Sequence, residues 1–577
     1  IVSHTHWDRA WYLPFRAFRH RLVRLVDRLL DLLEKNPDYR AFTLDGQTVL
    51  LDDYLEVRPD QEDRLRALIA ADRLLIGPWY TLPDLFLVSG EALIRNLQIG
   101  HDRCEAFGGG LPVGYIPDPF GHVAQMPQLL RGVGLDTYLF MRGMGREMKE
   151  RLGSVFDWRA PDGSVVRAVY QREGYFPAAA LGHPGVFGHF DGHAPEPERA
   201  RAQIRDAIET MAPLQDARTL LLSNGFDHMP EQPELPAMLE TLDATMDEIE
   251  LTHGTLPDFV EALADELEGT DLETYEGDLL GNADHPILQS VYSTRLYLKR
   301  QNHRAQHRLT RVAEPVSAWL DAEDVGADAR PFLREAWTTL LKNHPHDDIC
   351  GCSVDAVHED DETRFRHVEE TCTELLTEHL ERLQTDGGFE APSRPPSGAR
   401  HTDVWVFNPH PFRQTYRVEA TVYMPTPDGE RSPTPARPLA GVDGTGAPLD
   451  VTVLDTEGDV MRCRYLEQTW GRRYEVAFTV EVPPMGYELV HLYETNPASD
   501  TDGGPAAPSP DAPLALENEH YRVTVADGAL RIRDKEGGRV VEDALRFEYQ
   551  LDAGDTYSFG PVPDHGPWWA DLETAVP

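Results

Sequence analysis

His4, His6 and Asp8 stand at alternate positions directly after a short apolar run, Ile1-Val2-Ser3. If that run is a strand, the three side chains leave it on one side. Imidazole and carboxylate are the donors a borderline divalent ion such as zinc takes. His-x-His pairs also occur in ordinary loops, so the pattern counts only if the rest of the chain supplies further ligands. Three more clusters could do so: Asp118-Pro119-Phe120-Gly121-His122, Asn224-Gly225-Phe226-Asp227-His228 and His344-Pro345-His346-Asp347-Asp348.

The elements around these clusters follow a regular order. His20 to Glu34 has helical spacing of leucine and valine, with Pro37 just beyond. Short apolar runs at 41–44, 74–76, 113–116, 137–140, 165–170, 219–223 and 249–251 read as strands, and helices are predicted between them, including Glu91 to Phe107 and Glu198 to Met211. Such alternation predicts an α/β, barrel-like sheet of about seven or eight parallel strands over residues 1–265. Asp8, Asp45, Asp84, Asp118, Arg142 and Asp227 each follow a predicted strand. In a βα barrel such positions converge on the face that carries active sites.

Residues 266–385 read as a small three-helix bundle, with helices at 293–320, 331–341 and 357–383. The His344–Asp348 cluster falls between the last two and is placed to reach back to the barrel. Gly, Pro and Ser mark a linker at 386–401, and Asp, Pro, Ser and Ala mark a second at 496–513. Between and beyond them, β alternation predicts all-β sandwich domains at 402–495 and 514–577, the second incomplete.

Composition narrows the partners. The chain has 577 residues, enough for about three or four domains. It carries 54 basic and 98 acidic residues, a net charge of −44, and its only lysines are Lys35, Lys149, Lys299, Lys342 and Lys535. Acidity spread along the whole chain repels nucleic acid and anionic membranes. It suits solubility in high salt, where repulsion is screened; an acidic partner-binding face would look patchier. No run of about 18 apolar residues could span a membrane. Cys104, Cys350, Cys352, Cys372 and Cys463 are too few and scattered for a disulfide framework, and Cys350-x-Cys352 reads as small buried residues. A phosphate loop, a dinucleotide-binding glycine pattern and a G-x-S-x-G elbow are all missing. The first residue is not Met, so the expected cytoplasmic location, in a high-salt organism, leaves a signal peptide open.

The motifs H-T-H-W-D at 4–8, L-D-G-Q at 44–47, G-P-W-Y at 77–80, E-A-L-I-R-N-L at 91–97, D-P-F-G-H at 118–122, N-G-F-D-H at 224–228, S-T-R-L-Y-L-K at 293–299, H-P-H-D-D-I at 344–349 and E-N-E-H-Y-R-V at 517–523 together resemble the α-mannosidases of glycoside hydrolase family 38. The resemblance runs over nearly the whole chain, in the order barrel, helical bundle, β domains. It implies one Zn2+ per chain, or another divalent metal, held by His6, Asp8, Asp118 and His346. It further implies Asp118 as nucleophile, Asp227 as general acid/base, Trp11 under the sugar, and Asp347, Arg142 and Tyr175 as substrate contacts. The implied activity is retaining hydrolysis of terminal α-linked mannose through a covalent glycosyl-Asp intermediate. The substrate would be an α-mannoside or a mannose-containing oligosaccharide, with a homo-oligomer allowed and the aglycone open.

Members of the bacterial type commonly carry Glu where this chain has Ala10, which leaves specificity rather than chemistry in question. A zinc-dependent carbohydrate deacetylase is the competing enzyme, but it would draw its ligands from within the barrel, without His346. His4, His122 and His228 read as structural, and His344 as a surface or capping residue. The C-terminal β region is shorter than such enzymes carry, so the chain reads as a fragment.

Overall fold

The computed structural model describes residues 1–185, 192–214, 217–246, 248–322, 328–385, 399–427, 429, 431, 435–464, 467–495, 515–526 and 528–570. Both expected linkers fall almost wholly outside them. The chain forms two compact units: residues 1–310, 329–373 and 551–565 make the first, and 311–328, 374–550 and 566–577 the second.

The first unit begins with β1 (Val2–Thr5), α1 (Phe15–Lys35), β2 (Phe42–Leu44), α2 (Val49–Leu55), α3 (Glu62–Ala70) and β3 (Leu74–Leu75). Next come α4 (Gly90–Phe107), β4 (Gly114–Tyr115), α5 (Met126–Gly132), β5 (Thr137–Phe140), α6 (Arg146–Leu152), β6 (Val155–Arg159) and β7 (Val165–Tyr170). The series closes with α7 (Pro197–Met211), β8 (Ser223–Asn224), α8 (Leu235–Asp243), α9 (Leu256–Glu266) and β9 (Thr274–Glu276). Helix α1 turns Phe18, Leu22, Leu25, Val26, Leu29, Leu30 and Leu33 inward, the stripe its spacing foretold. Ser89 caps α4 through the Ala92 N–H, and Gly108, at φ 98°, ends it in a left-handed turn.

The strands lie in two sheets, β3-β2-β1-β8, all parallel, and β4-β5-β7-β6-β9. The second corrects the expectation of uniformly parallel strands: β6, which sequence reading passed over, runs antiparallel to β7. The turn Pro161-Asp162-Gly163 joins them too closely for a crossover, so a hairpin is the only connection. Residues 249–251 form no strand; the chain just after them meets β1 through a bridge from Gly254 to Val2 and through His253 Nε2, 3.0 Å from Ser3 Oγ. The apolar faces of these sheets pack into cores that include one around Trp79, Tyr138, Phe140, Phe156 and Trp158 and another around Val113, Tyr115, Leu139 and Leu256.

Helix α10 (Leu296–Arg308) is followed by a π turn at Leu309–Ala313 and α11 (Glu314–Ala322), so the single helix expected at 293–320 is broken. Helices α12 (Arg330–Leu341), α13 (His346–Cys350) and α14 (Asp355–Thr385) complete the helical part. Among the described residues no helix is long and apolar enough to cross a membrane.

In the second unit, β10 (His401–Asn408), β11 (Gln414–Pro425), β12 (Leu439–Val442), β13 (Pro448–Leu449), β14 (Val451–Arg464), β15 (Glu467–Val482) and β16 (Gly486–Glu494) form antiparallel sheets. They share a core of Val422, Met424, Tyr474, Val476, Val490 and Leu492.

Candidate active site

The loop leaving β1 pairs with the loop leaving β8. His6 N–H donates to Phe226 O at 3.3 Å and His228 N–H to His6 O at 2.8 Å. This close approach needs Gly225, where a Cβ would stand 2.1 Å from His4 O. The pairing sets Asp227 beside His6 through a backbone bridge.

His6, Asp118 and His346 offer donor atoms all within 4.8 Å of one another, and so do Asp8, His346 and Asp347. His6 Nε2 lies 3.1 Å from Asp8 Oδ1 and 3.9 Å from Asp118 Oδ2. His346 Nε2 lies 3.5 Å from Asp8 Oδ1 and 3.4 Å from Asp118 Oδ2. Both imidazole Nε2 atoms are buried and make no hydrogen bond. A pair of buried imidazole nitrogens without hydrogen bonds, facing shared carboxylates, is a donor set that fits a divalent ion. Burial alone would keep His346 neutral, but Asp347, Asp118 and Asp8 push its pKa up to about 9. The excess of carboxylate at this point therefore calls for positive charge.

His346 reaches the cluster from α13, whose start is fixed when the His346 N–H donates to Leu82 O at 3.1 Å. His6 is oriented from behind by Asp45, whose Oδ2 lies 3.3 Å from Nδ1. That carboxylate is itself pinned by N–H groups of Trp7 (2.9 Å) and Gly46 (2.8 Å) and by Gln47 Nε2 (2.9 Å). A carboxylate on the far nitrogen of a ligand histidine fixes its tautomer and ring plane.

Arg142 grips Asp118. Its Nε and Nη2 donate to Oδ1 at 2.8 and 2.6 Å, and Nε also reaches the Asp118 carbonyl. Burial opposes charge on Asp118, but Arg142, His346 and His6 overcome it and hold the carboxyl well below the usual range. Asp227 is driven the other way: burial first, then Asp8 and Asp118, push it up to about 6 against the pull of His6 and of the Tyr175 hydroxyl, which donates to Oδ1 at 2.7 Å. One site thus holds one carboxylate kept ionised and one kept protonated in mildly acidic solution.

All nine residues named from the sequence lie in the first unit. Trp11 is held by a Val354 N–H to its carbonyl, 3.1 Å, and its indole N–H donates to Tyr557 Oη. Asp347 Oδ1 accepts from the Cys352 thiol at 3.1 Å, and Phe120 packs edge-on to His346. Sequence reading missed Tyr557 and the supporting role of Asp45. Tyr557 comes from residues 551–565, which fold into the first unit more than 200 residues after His346, and no local pattern could signal that return. His4, His122 and His228 bond to backbone or Tyr138 groups: His4 to Tyr175 O, His122 to Arg142 O and Tyr138 Oη, His228 to the Asp8 N–H. His344 is a correction: it is fully buried against Asn302 Oδ1 at 2.8 Å, not at the surface. Asp84 organises its own loop, accepting from Phe86 and Leu87 N–H groups at 2.9 Å. All five cysteines are free, and four are buried.

The family model described as Glycosyl hydrolases family 38 N-terminal domain matches residues 1–278, and that of the Alpha mannosidase middle domain matches 287–383. The chain belongs to glycosyl hydrolase family 38. It is 36% identical over 396 residues to a putative mannosylglycerate hydrolase of Halalkalibacterium halodurans, covering 66% of this chain and 42% of that protein. It is 23% identical over 398 residues to an α-mannosidase of Saccharomyces cerevisiae, 67% and 34% of the two chains. A solved α-mannosidase of Enterococcus faecalis V583 superposes with a TM-score of 0.83 at 29% identity, over 98% of this chain and 64% of that one. The chain thus spans less than half the length of these two curated relatives. It has the N-terminal domain, helical middle domain and β-rich C-terminal region of the family 38 fold.

Proposed function

We propose that this protein is a retaining, metal-dependent α-mannosidase that removes terminal α-linked mannose. The observation that carries the reading is the pair of oppositely tuned carboxyls, Asp118 and Asp227, set beside the unpartnered nitrogens of His6 and His346. His6, Asp8, Asp118 and His346 would hold one Zn2+ or a similar divalent ion. When bound, it would supply electrostatic anchoring for vicinal sugar hydroxyls.

In the first step a carboxylate oxygen of Asp118 attacks the anomeric carbon and the glycosidic C–O bond breaks. Asp227 gives its proton to the departing oxygen, so the aglycone leaves as an alcohol. Arg142 keeps the Asp118 carboxylate ionised and its plane fixed, which holds the nucleophile in attacking orientation. In the second step Asp227, now a carboxylate, takes a proton from water while the water oxygen attacks the anomeric carbon, and the Asp118 ester bond breaks. Trp11 would pack beneath the sugar ring, and Asp347 and Tyr175 are the remaining candidate partners for its hydroxyls. The even acidity of the chain, −44 overall, fits work in high salt.

The test is turnover of a nitrophenyl α-mannoside with and without chelator. Asp118→Asn should abolish turnover, and Asp227→Asn should retain activity preferentially on aryl leaving groups that need no proton. A 2-deoxy-2-fluoro mannosyl donor should add one sugar mass to a peptide containing Asp118. Full turnover after complete metal removal, or release of inverted mannose, would refute the reading.

A further inference from the structure

Resting on the mannosidase reading, we propose that Tyr12 forms the wall of the leaving-group subsite, and that this subsite takes a neutral sugar ring stacked on it. The carboxyl that protonates the glycosidic oxygen marks the side on which the leaving group lies, and here that is the Asp227 side. The residue after Asp227 is His228, whose ring sits in an aromatic nest: Phe18 at 4.2 Å, Trp7 at 4.9 Å, Tyr12 at 5.8 Å. Trp7 and Phe18 are buried, whereas Tyr12, in the same nest, is 51% exposed.

That exposure does not come from a loose side chain. Trp11, Phe18 and His228 meet the Tyr12 ring edge-to-face at interplanar angles of 73°, 82° and 66°. Three such contacts fix the ring plane and leave apolar surface toward solvent. A pyranose presents a matching face of C–H groups, and aromatic walls with a few polar groups are the usual lining of small-ligand sites. The electrostatics disfavour an acidic leaving group here. Asp8 and Asp227 both act on the Tyr12 hydroxyl, and the opposing cation, Arg21 on α1, is solvent-exposed and gives a hydrogen bond to Ala17 O. Once Asp227 has given up its proton it is a carboxylate, and an anion over Tyr12 would then face it with only one screened guanidinium in opposition.

The experiment compares substrates that differ only in the leaving group. Wild-type, Tyr12→Ala and Tyr12→Phe proteins, loaded with zinc, are assayed on α-mannosyl fluoride, α-linked mannobioses and an α-mannoside of a small hydroxy acid. Tyr12→Ala should raise the ratio of kcat/KM for fluoride over mannobiose by about tenfold, the loss of one aromatic contact. Tyr12→Phe keeps the face and should restore the wild-type ratio. A second readout is transfer of mannose from the fluoride to added mannose: Tyr12→Ala should divert the intermediate to water, because the acceptor occupies the same subsite. Equal losses on fluoride and mannobiose, with unchanged transfer, would overturn the proposal. A loss confined to the acidic mannoside would overturn the ligand class. Wild-type protein that hydrolyses no α-mannosyl substrate would instead refute the underlying mannosidase reading, and the subsite with it.

Discussion

Asp45→Asn separates a positioning role from a structural one at the proposed metal site. Asp45 is fully buried, and its two oxygens serve four groups: His6 Nδ1, the Trp7 and Gly46 N–H groups, and Gln47 Nε2. Asparagine keeps the size but replaces one acceptor by a donor, so at least one N–H is left facing an N–H. It also removes the charge that makes His6 a better ligand. Losing such an outer partner costs about 10–100-fold in metal affinity, or about 1.4–2.7 kcal/mol. The assay is competition of zinc against a chelator of known affinity, followed by thermal unfolding of apo and loaded protein. Metal stabilises the folded state in proportion to the logarithm of its concentration over Kd. The gap between apo and loaded stability should therefore shrink in the variant by the same free energy that the competition shows. If Asp45→Asn leaves zinc affinity unchanged while apo and loaded proteins lose stability equally, Asp45 only packs the loop and the positioning argument is wrong.

Three other outcomes follow from the same geometry. Because Asp227 must be protonated to act as acid and is pushed up to about 6, kcat/KM should fall as pH rises through that value. Tyr175→Phe removes a hydrogen bond that favours the carboxylate, so the falling limb should move to higher pH; a limb that stays or moves down refutes the link. Arg142→Lys keeps the charge but loses the fork on Asp118, and should cost about 10–100-fold in kcat/KM, the worth of a charge-assisted hydrogen bond. Wild-type activity in that variant would remove Arg142 from the nucleophile's support. Gly225→Ala drives a Cβ into His4 O and should lower stability by about 1–3 kcal/mol, seen as a lower unfolding temperature with activity lost in parallel.

What the sequence made legible was what is encoded locally. The apolar runs at 137–140 and 165–170 became strands with those bounds, and α4 and α7 began within a residue of where spacing put them. Asp118, Asp227, His6 and His346 could be named because each lies in a compact motif. Less was visible where neighbours decide. Val155–Arg159 carries an apolar alternation ahead of a Pro-Asp-Gly turn, a hairpin signal overridden by the βα rhythm around it. The π turn at Leu309–Ala313 left no mark in a helix-favouring stretch. His344 looked like a capping residue because burial beside Asn302 depends on how α10 and α12 pack, which no window of sequence contains.

The return of residues 551–565 to the first unit sets an order of assembly during synthesis. His6, Asp8, Asp118 and His346 have all been added to the chain while Tyr557 is still about two hundred residues from being made, roughly 10–40 s at ordinary elongation rates. Through that interval the nascent chain carries every proposed metal ligand but not the hydroxyl that receives the Trp11 N–H. The proposed metal ligands are thus complete in the chain well before the hydroxyl that seats Trp11 exists.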